Sequence, residues 1–394
     1  MSLRIGYITD ERFPSVHTDC QQMVKTADAL GGQGCAVDFI QPRLARHLLM
    51  TRKKRKTDIC RAFNVEGRFE VSDILLWPAS DLRIEKLVHG LAAPLAALLR
   101  GYDVVYTRNL LPLRLGAALG LPVLFETYRA LPRSDPRAWR TVEKAARAPG
   151  FLGICTHSGY SRGIMIEAGA DPESVAAIPN GYDPRDFEGV PDKDGARREL
   201  KLSGDRPMAV YTGHIRPDKG IASVVDLAED LPDVSFVIAG GSPSDVARVE
   251  SDVRTRGLLN VRLVGQVPVV RVPFYLRAAD VLLLPPTSGA LAAGRTVLPM
   301  KTFTYLAAGR PVLAPDLPDT AGILTHEGNS LRVPPDDRKA AALALSRLVL
   351  DKGLRERLGT RGALDAELYT WNGRAKRLVE FMERRRTAAG RKGR

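Results

Sequence analysis

The sequence predicts an α/β protein of two domains, each a parallel β-sheet covered by helices on both faces. Three observations carry that expectation. Short apolar runs recur along the chain and alternate with stretches of helical spacing, the mark of strands buried on both faces. The 394 residues exceed the needs of one core and suit two. A polar stretch at 183–206, rich in Asp, Gly, Pro, Lys and Arg, reads as the boundary between halves. The expected organisation is a doubly wound, Rossmann-like domain over 1–185 and a second over 186–371. A C-terminal helix at 372–394 packs back on the first. Two such sheets facing a cleft hold a ligand at the carboxyl ends of their strands.

In the first half, strands are expected at 3–8, 36–40, 73–77, 102–106, 123–125 and 153–156. Helices fit at 21–30, which Gly31 and Gly32 end, and at 83–99. Residues 43–61 read as a basic, helix-compatible insert that breaks the alternation. In the second half, strands are expected at 208–212, 235–239, 261–264, 281–284 and 311–314. Helices fit at 221–230, 244–256, 272–279 and 299–308. Helical spacing returns at 371–382, and the basic tail beyond it is expected to fray.

The net charge is +13 and is concentrated. Residues 43–61 hold eight Lys or Arg against one Asp, and residues 374–394 hold nine against two Glu. Each segment therefore carries +7, and the rest of the chain is near neutral. These segments read either as solvated basic faces or as contacts to an anionic membrane or acceptor. Few aromatic residues and no helix-turn-helix or zinc pattern speak against nucleic acid. Cys20, Cys35, Cys60 and Cys155 are scattered, form no CxxC pair and read as reduced thiols. The chain enters a strand-like run at once, and its longest apolar stretch, near 88–99, is too short to span a membrane. The expected location is the cytoplasm, with peripheral contact to the inner face of the membrane as an extension.

Chemistry concentrates in two loops. At 211–220, YTGHIRPDKG, a strand ends at Gly213, a basic loop follows, and a helix begins after Lys219 and Gly220. Glycine admits a ligand close to the backbone. Lys219, with His214 or Arg216, can neutralise a diphosphate. The competing reading is a tight turn with a solvated lysine. At 285–309, PPTSGALAAGRTVLPMKTFTYLAAG, a small-residue loop runs into a helix near Pro299, whose free amides favour a phosphate. A third loop, TDERFPSVHTDC at 9–20, holds Ser15, His17 and Asp19 as acceptor-side candidates.

With these motifs the chain resembles the GT-B-fold retaining glycosyltransferases of family four (glycosyl transferases group 1). IPNGYDPRDF is similar to that family's interdomain crossover, and YTGHIRPDKGI to its phosphate-binding turn. NVRLVGQVP resembles its base-binding region, KTFTYLAAGRPVLAPD its ribose-binding helix, and YTWNGRAKRLVEF its closing helix. The resemblance implies transfer of a sugar from a nucleoside diphosphate donor, UDP or GDP, to a glycan, lipid or small-molecule acceptor. It implies retained configuration and neither cofactor nor metal. It assigns donor contacts to Gly213, His214, Arg216, Lys219, Val267, Thr296, Val297, Leu298 and Thr304, and catalytic placement to Lys219, Glu126 and Tyr128. Ser15 and His17 fall on the acceptor side. Four positions depart from the pattern. His214 stands where an arginine is common. Thr296 and Thr304 replace two glutamates, and Tyr128 replaces a histidine. The alternative is a catalytically impaired binding or partner protein on the same fold.

Overall fold

A computed structural model of the chain describes residues 2–15, 18–43, 49–75, 82–289 and 298–392. It divides into two compact units, Met1–Asn180 with Trp371–Arg394, and Gly181–Thr370. The division falls at Asn180 instead of 185 because Tyr182 already bridges Thr370, its N–H donating to the Tyr369 carbonyl at 2.9 Å.

The first unit runs β1 (Arg4–Ile8), α1 (Thr18–Gly32), β2 (Ala36–Arg43), α2 (Arg52–Phe63), β3 (Glu70–Leu75), α3 (Leu82–Arg100), β4 (Val104–Thr107) and α4 (Leu110–Ala118). It continues through β5 (Val123–Thr127), α5 (Leu131–Ser134), α6 (Pro136–Ala146), β6 (Phe151–Thr156), α7 (Gly159–Glu167) and β7 (Val175–Ala177). The strands pair in parallel in the order β3-β2-β1-β4-β5-β6-β7. β4 and β5 are buried at every position, which is why they read as unbroken apolar runs. The basic stretch at 43–61 is not an insert. Its helical part is the regular crossover α2, started by Thr51, whose hydroxyl accepts from the Lys54 N–H at 3.2 Å. Arg55 on α2 is buried in an ion pair with Asp73 of β3, and Lys56 pairs with Glu70 at 2.9 Å. Part of the basic character is therefore internal.

The second unit runs α8 (Lys193–Glu199), β8 (Met208–Thr212), α9 (Ile221–Asp230), β9 (Ser235–Ala239), α10 (Pro243–Thr255), β10 (Val261–Gly265) and α11 (Val272–Ala278). Then come β11 (Val281–Leu283), α12 (Lys301–Ala307), β12 (Val312–Pro315), β13 (Ser330–Val333), α13 (Arg338–Leu350) and α14 (Lys352–Ala366). Its parallel strands are ordered β10-β9-β8-β11-β12-β13. α9 shows how the layers close. Ile221, Val224, Val225 and Ala228 recur at helical spacing and are buried together with Phe236 and Ile238 of β9.

The last helix, α15 (Trp371–Lys392), belongs to the first unit and packs on α1 and β6. Ala375, Leu378, Phe381 and Met382 form its buried face. The helix runs through the basic tail, which was expected to fray. Arg385 donates to the Leu152 carbonyl at 2.6 Å and Arg386 pairs with Asp103 at 2.7 Å, so these side chains hold the end down. No helix among the described residues is long and apolar enough to cross a membrane.

Candidate functional site

In the second unit the strand order reverses between β8 and β11, so the carboxyl ends of those strands open a crevice. β8 ends there in Gly213, with φ of +128°. Beside it Gly240, φ +132°, follows β9. A Cβ on Gly240 would lie 2.1 Å from the Gly213 carbonyl oxygen, so both backbone shape and space demand glycine. The Gly213 N–H donates to Ala239 at 2.9 Å, and the Gly240 N–H to Gly265 at 2.6 Å. Three strand ends thus meet in a floor with little side chain.

The turn after Gly213 places the expected donor residues unevenly. Pro217–Lys219 is one 3-10 turn, and Gly220 leads into α9, whose first amides have no side-chain cap among the described residues. Lys219 is partly exposed, 3.5 Å from Asp218. Arg216 is exposed and turned to the same carboxylate at 3.2 Å. The His214 carbonyl accepts from the Tyr211 hydroxyl at 2.5 Å, which fixes the turn from below.

The helix expected from Pro299 starts at Lys301. Tyr305 ties it to β8: its hydroxyl accepts from the Thr212 N–H at 2.8 Å. That bond holds Lys301 at the turn, its ammonium 3.8 Å from the centre of the Tyr211 ring. A Cβ on Gly213 would lie 2.7 Å from the same nitrogen. Burial, with Lys219 nearby, lowers the Lys301 pKa to about 7. The sequence reading passed over Lys301, although its signal was there: a single cation at the head of an otherwise uncharged helix. Thr304 is half-buried, and its hydroxyl donates back to the Lys301 carbonyl at 3.0 Å. Val267 and Leu298 are half-buried against the apolar layer that includes Phe303 and Leu276. Thr296, Val297 and His17 lie outside the described residues.

In the first unit the strand order reverses between β1 and β4, and a pocket of about 370 Å³ opens there. Asp10, Lys86, Arg108 and Asn109 line it together with Gly90 and Leu111. The Asn109 amide donates to Asp10 at 2.6 Å, and Lys86 pairs with Asp10 at 3.2 Å. Ser15 is not among the lining residues and hydrogen-bonds the Cys20 thiol. Asp10 and Asn109 follow β1 and β4 directly, but strand order is not readable from spacing, so the sequence did not single them out.

Glu126 is turned into the core of the first unit. It is fully buried, and its carboxylate accepts from Arg374, from His157 at 2.9 Å and from Gln22 at 3.1 Å. Burial would raise its pKa, but Arg374, His157 and Arg108 outweigh it and hold the carboxyl well below the usual range. Burial lowers the His157 pKa despite Glu126. The neutral ring then donates through Nε2 to Glu126 and accepts at Nδ1 from Asn180 at 3.3 Å. Tyr128 is the member that reaches solvent. It is 40% exposed, 6.4 Å from the His157 ring, and flanked by the guanidiniums of Arg108 and Arg129. Among the described residues no group of His, Cys, Asp or Glu forms a metal-binding cluster.

This chain is similar over 98% of its length to sucrose-phosphate synthase from Thermosynechococcus elongatus, with a TM-score of 0.78, 18% identity and 100% of that chain covered. It is similar over 97% to Anabaena HepE in complex with UDP, with a TM-score of 0.75, 15% identity and 100% of that chain covered. Both likenesses concern the fold, which is GT-B. In sequence it is 28% identical over 238 residues to D-inositol 3-phosphate glycosyltransferase of Kineococcus radiotolerans. That match covers 55% of this chain and 53% of the relative, so the chain spans about half the length of the curated relative. The family described as glycosyl transferases group 1 matches residues 192–365, the stretch that holds Gly213, Lys219 and Lys301.

Proposed function

We propose that this protein is a glycosyltransferase that moves a sugar from a nucleoside diphosphate donor, with retention, to a glycan, lipid or small-molecule acceptor. The observation that carries the reading is the convergence of a glycine floor, the start of α9 and Lys219 at the strand-order reversal of the unit that the group 1 family matches. In glycosyl transfer the departing charge builds on the diphosphate, so cations and amides preset around it favour the transition state. UDP or GDP is the proposed nucleotide. Neutralisation by side chains and amides assigns no role to a metal or cofactor.

The acceptor is placed at the pocket of the first unit. Its lining of Lys86, Arg108 and Asn109 beside Asp10 suits a hydroxylated acceptor with an anionic group. The inositol 3-phosphate in the name of the Kineococcus relative is of that class. Exposed Arg52, Lys53 and Arg61 on α2 add a proposed contact with an anionic cytoplasmic membrane face. A second reading, a binding protein with impaired catalysis, draws on Thr304, whose hydroxyl turns back into its own helix.

A panel of UDP- and GDP-sugars with polyol phosphates and lipid-linked acceptors tests the proposal. Nucleoside diphosphate release that depends on acceptor supports transfer, and the anomeric proton coupling of the product reads retention. Tight nucleotide binding without release on any acceptor selects the second reading.

A further inference from the structure

Within that reading, we propose that Lys301 is the second cation of the diphosphate site and takes the place of the permanent charge missing at His214. Its ammonium lies on the Tyr211 ring and against Gly213, at the end of the strand from which the diphosphate turn springs. A ring face supports a cation and leaves its N–H donors free for an anion. Lys219 approaches from the turn closely enough to disfavour a second charge. Two ammonium groups brought together repel unless an anion lies between them. Among the described residues no ion pair joins a carboxylate to Lys301, and Asp218 of the adjoining turn is shared by Arg216 and Lys219. A diphosphate supplies the missing anion.

Arg216, the other basic residue of the turn, is tied to Asp218 at the surface. Lys301 is instead fixed from two sides. Tyr305 anchors its helix to Thr212, and the Tyr211 ring supports its ammonium. The titratable groups around it include Tyr211 and Tyr305, both raised above the ordinary tyrosine value by burial, and Lys219, with His214 and Asp218 on the adjoining turn. Lys301 is therefore a group that changes charge near neutrality. Bound diphosphate stabilises its protonated form, so donor binding takes up a proton and weakens as pH rises above about 7.

Titration calorimetry with UDP and GDP from pH 6 to pH 9 tests this on wild-type protein, Lys301→Met and Lys301→Arg. Wild-type affinity is expected to fall above neutrality. Lys301→Met should bind roughly tenfold or more weakly at pH 6.5, the loss of a charge-assisted contact, and show a flattened profile. Lys301→Arg should keep most of the affinity and lose the decline, since guanidinium stays charged. Its binding at pH 6.5, with unchanged thermal unfolding, shows that the site is folded. Equal affinity and equal pH profiles for wild type and Lys301→Met overturn the assignment while leaving the transferase reading intact. No binding of either nucleotide by folded wild type overturns both.

Discussion

Arg374 and Glu126 stand 248 positions apart and form an ion pair with both side chains fully buried. The guanidinium also donates to the Pro179 carbonyl at 3.3 Å, so one side chain of α15 fastens β5 and the chain that follows β7. Removing one partner leaves the other charged and dry, which costs about 3–5 kcal/mol. Arg374→Met should lower stability by that amount in urea unfolding. Glu126→Gln with Arg374→Met should recover part of it. Glu126 also fixes the pH dependence. Its folded pKa is depressed, so its contribution is present above the ordinary glutamate value and lost as pH falls below it. The Glu126→Gln variant should therefore lose less stability than wild type on acidification from pH 5.

Lys219 makes its prediction at the other unit. A charge-assisted contact to phosphate contributes roughly 1.5–3 kcal/mol, so Lys219→Ala should weaken UDP or GDP binding by roughly 10- to 100-fold. The fall in kcat with saturating donor should exceed that of a residue that only binds, because the diphosphate gains charge as the bond breaks. Calorimetry and steady-state kinetics separate the two.

What sequence showed and what it hid divides along one physical line. Strands β8 and β9 and helix α9 were legible to the residue, since their boundaries are set by local apolar runs and by turns. The turn at Gly213 and Lys219 was legible for the same reason. β7 and β13 were missed because neither is a strongly apolar run: two of the three β7 residues are only half-buried, and in β13 Arg332 separates Leu331 from Val333. The buried ion pair of Glu126 was not legible because its partner lies on α15, and no local spacing joins those positions. The sequence marks Lys301 as the lone cation of α12, but its contacts with Tyr211 and Gly213 emerge only when β8 and α12 are side by side.

Thr304 offers a gain-of-function test. By the family resemblance a glutamate at this position of α12 would accept two ribose hydroxyls, whereas the threonine hydroxyl donates to the Lys301 carbonyl. Thr304→Glu should bind UDP or GDP about tenfold more tightly, from a hydrogen bond to a charged group. The gain should vanish with the 2′,3′-dideoxy nucleotide. Equal gains with both nucleotides would show that the ribose does not lie at α12.

Gly240 links stability to the site most directly. A Cβ there would meet the Gly213 carbonyl oxygen at 2.1 Å, and its φ of +132° suits glycine alone. Alanine there must move the Gly213 backbone or leave the strained region, at a cost of roughly 1–3 kcal/mol. Gly120→Ala is the control: it also replaces a glycine with positive φ, +77°, but its Cβ would meet nothing within 4 Å, and it lies in the other unit. Gly240→Ala should unfold at lower urea and also lose nucleotide affinity, because the β8 turn carries both Gly213 and the approach to Lys219. Gly120→Ala should lower stability without touching nucleotide binding. If Gly240→Ala lowers stability and leaves affinity unchanged, the glycine floor supports the sheet and has no part in seating the diphosphate.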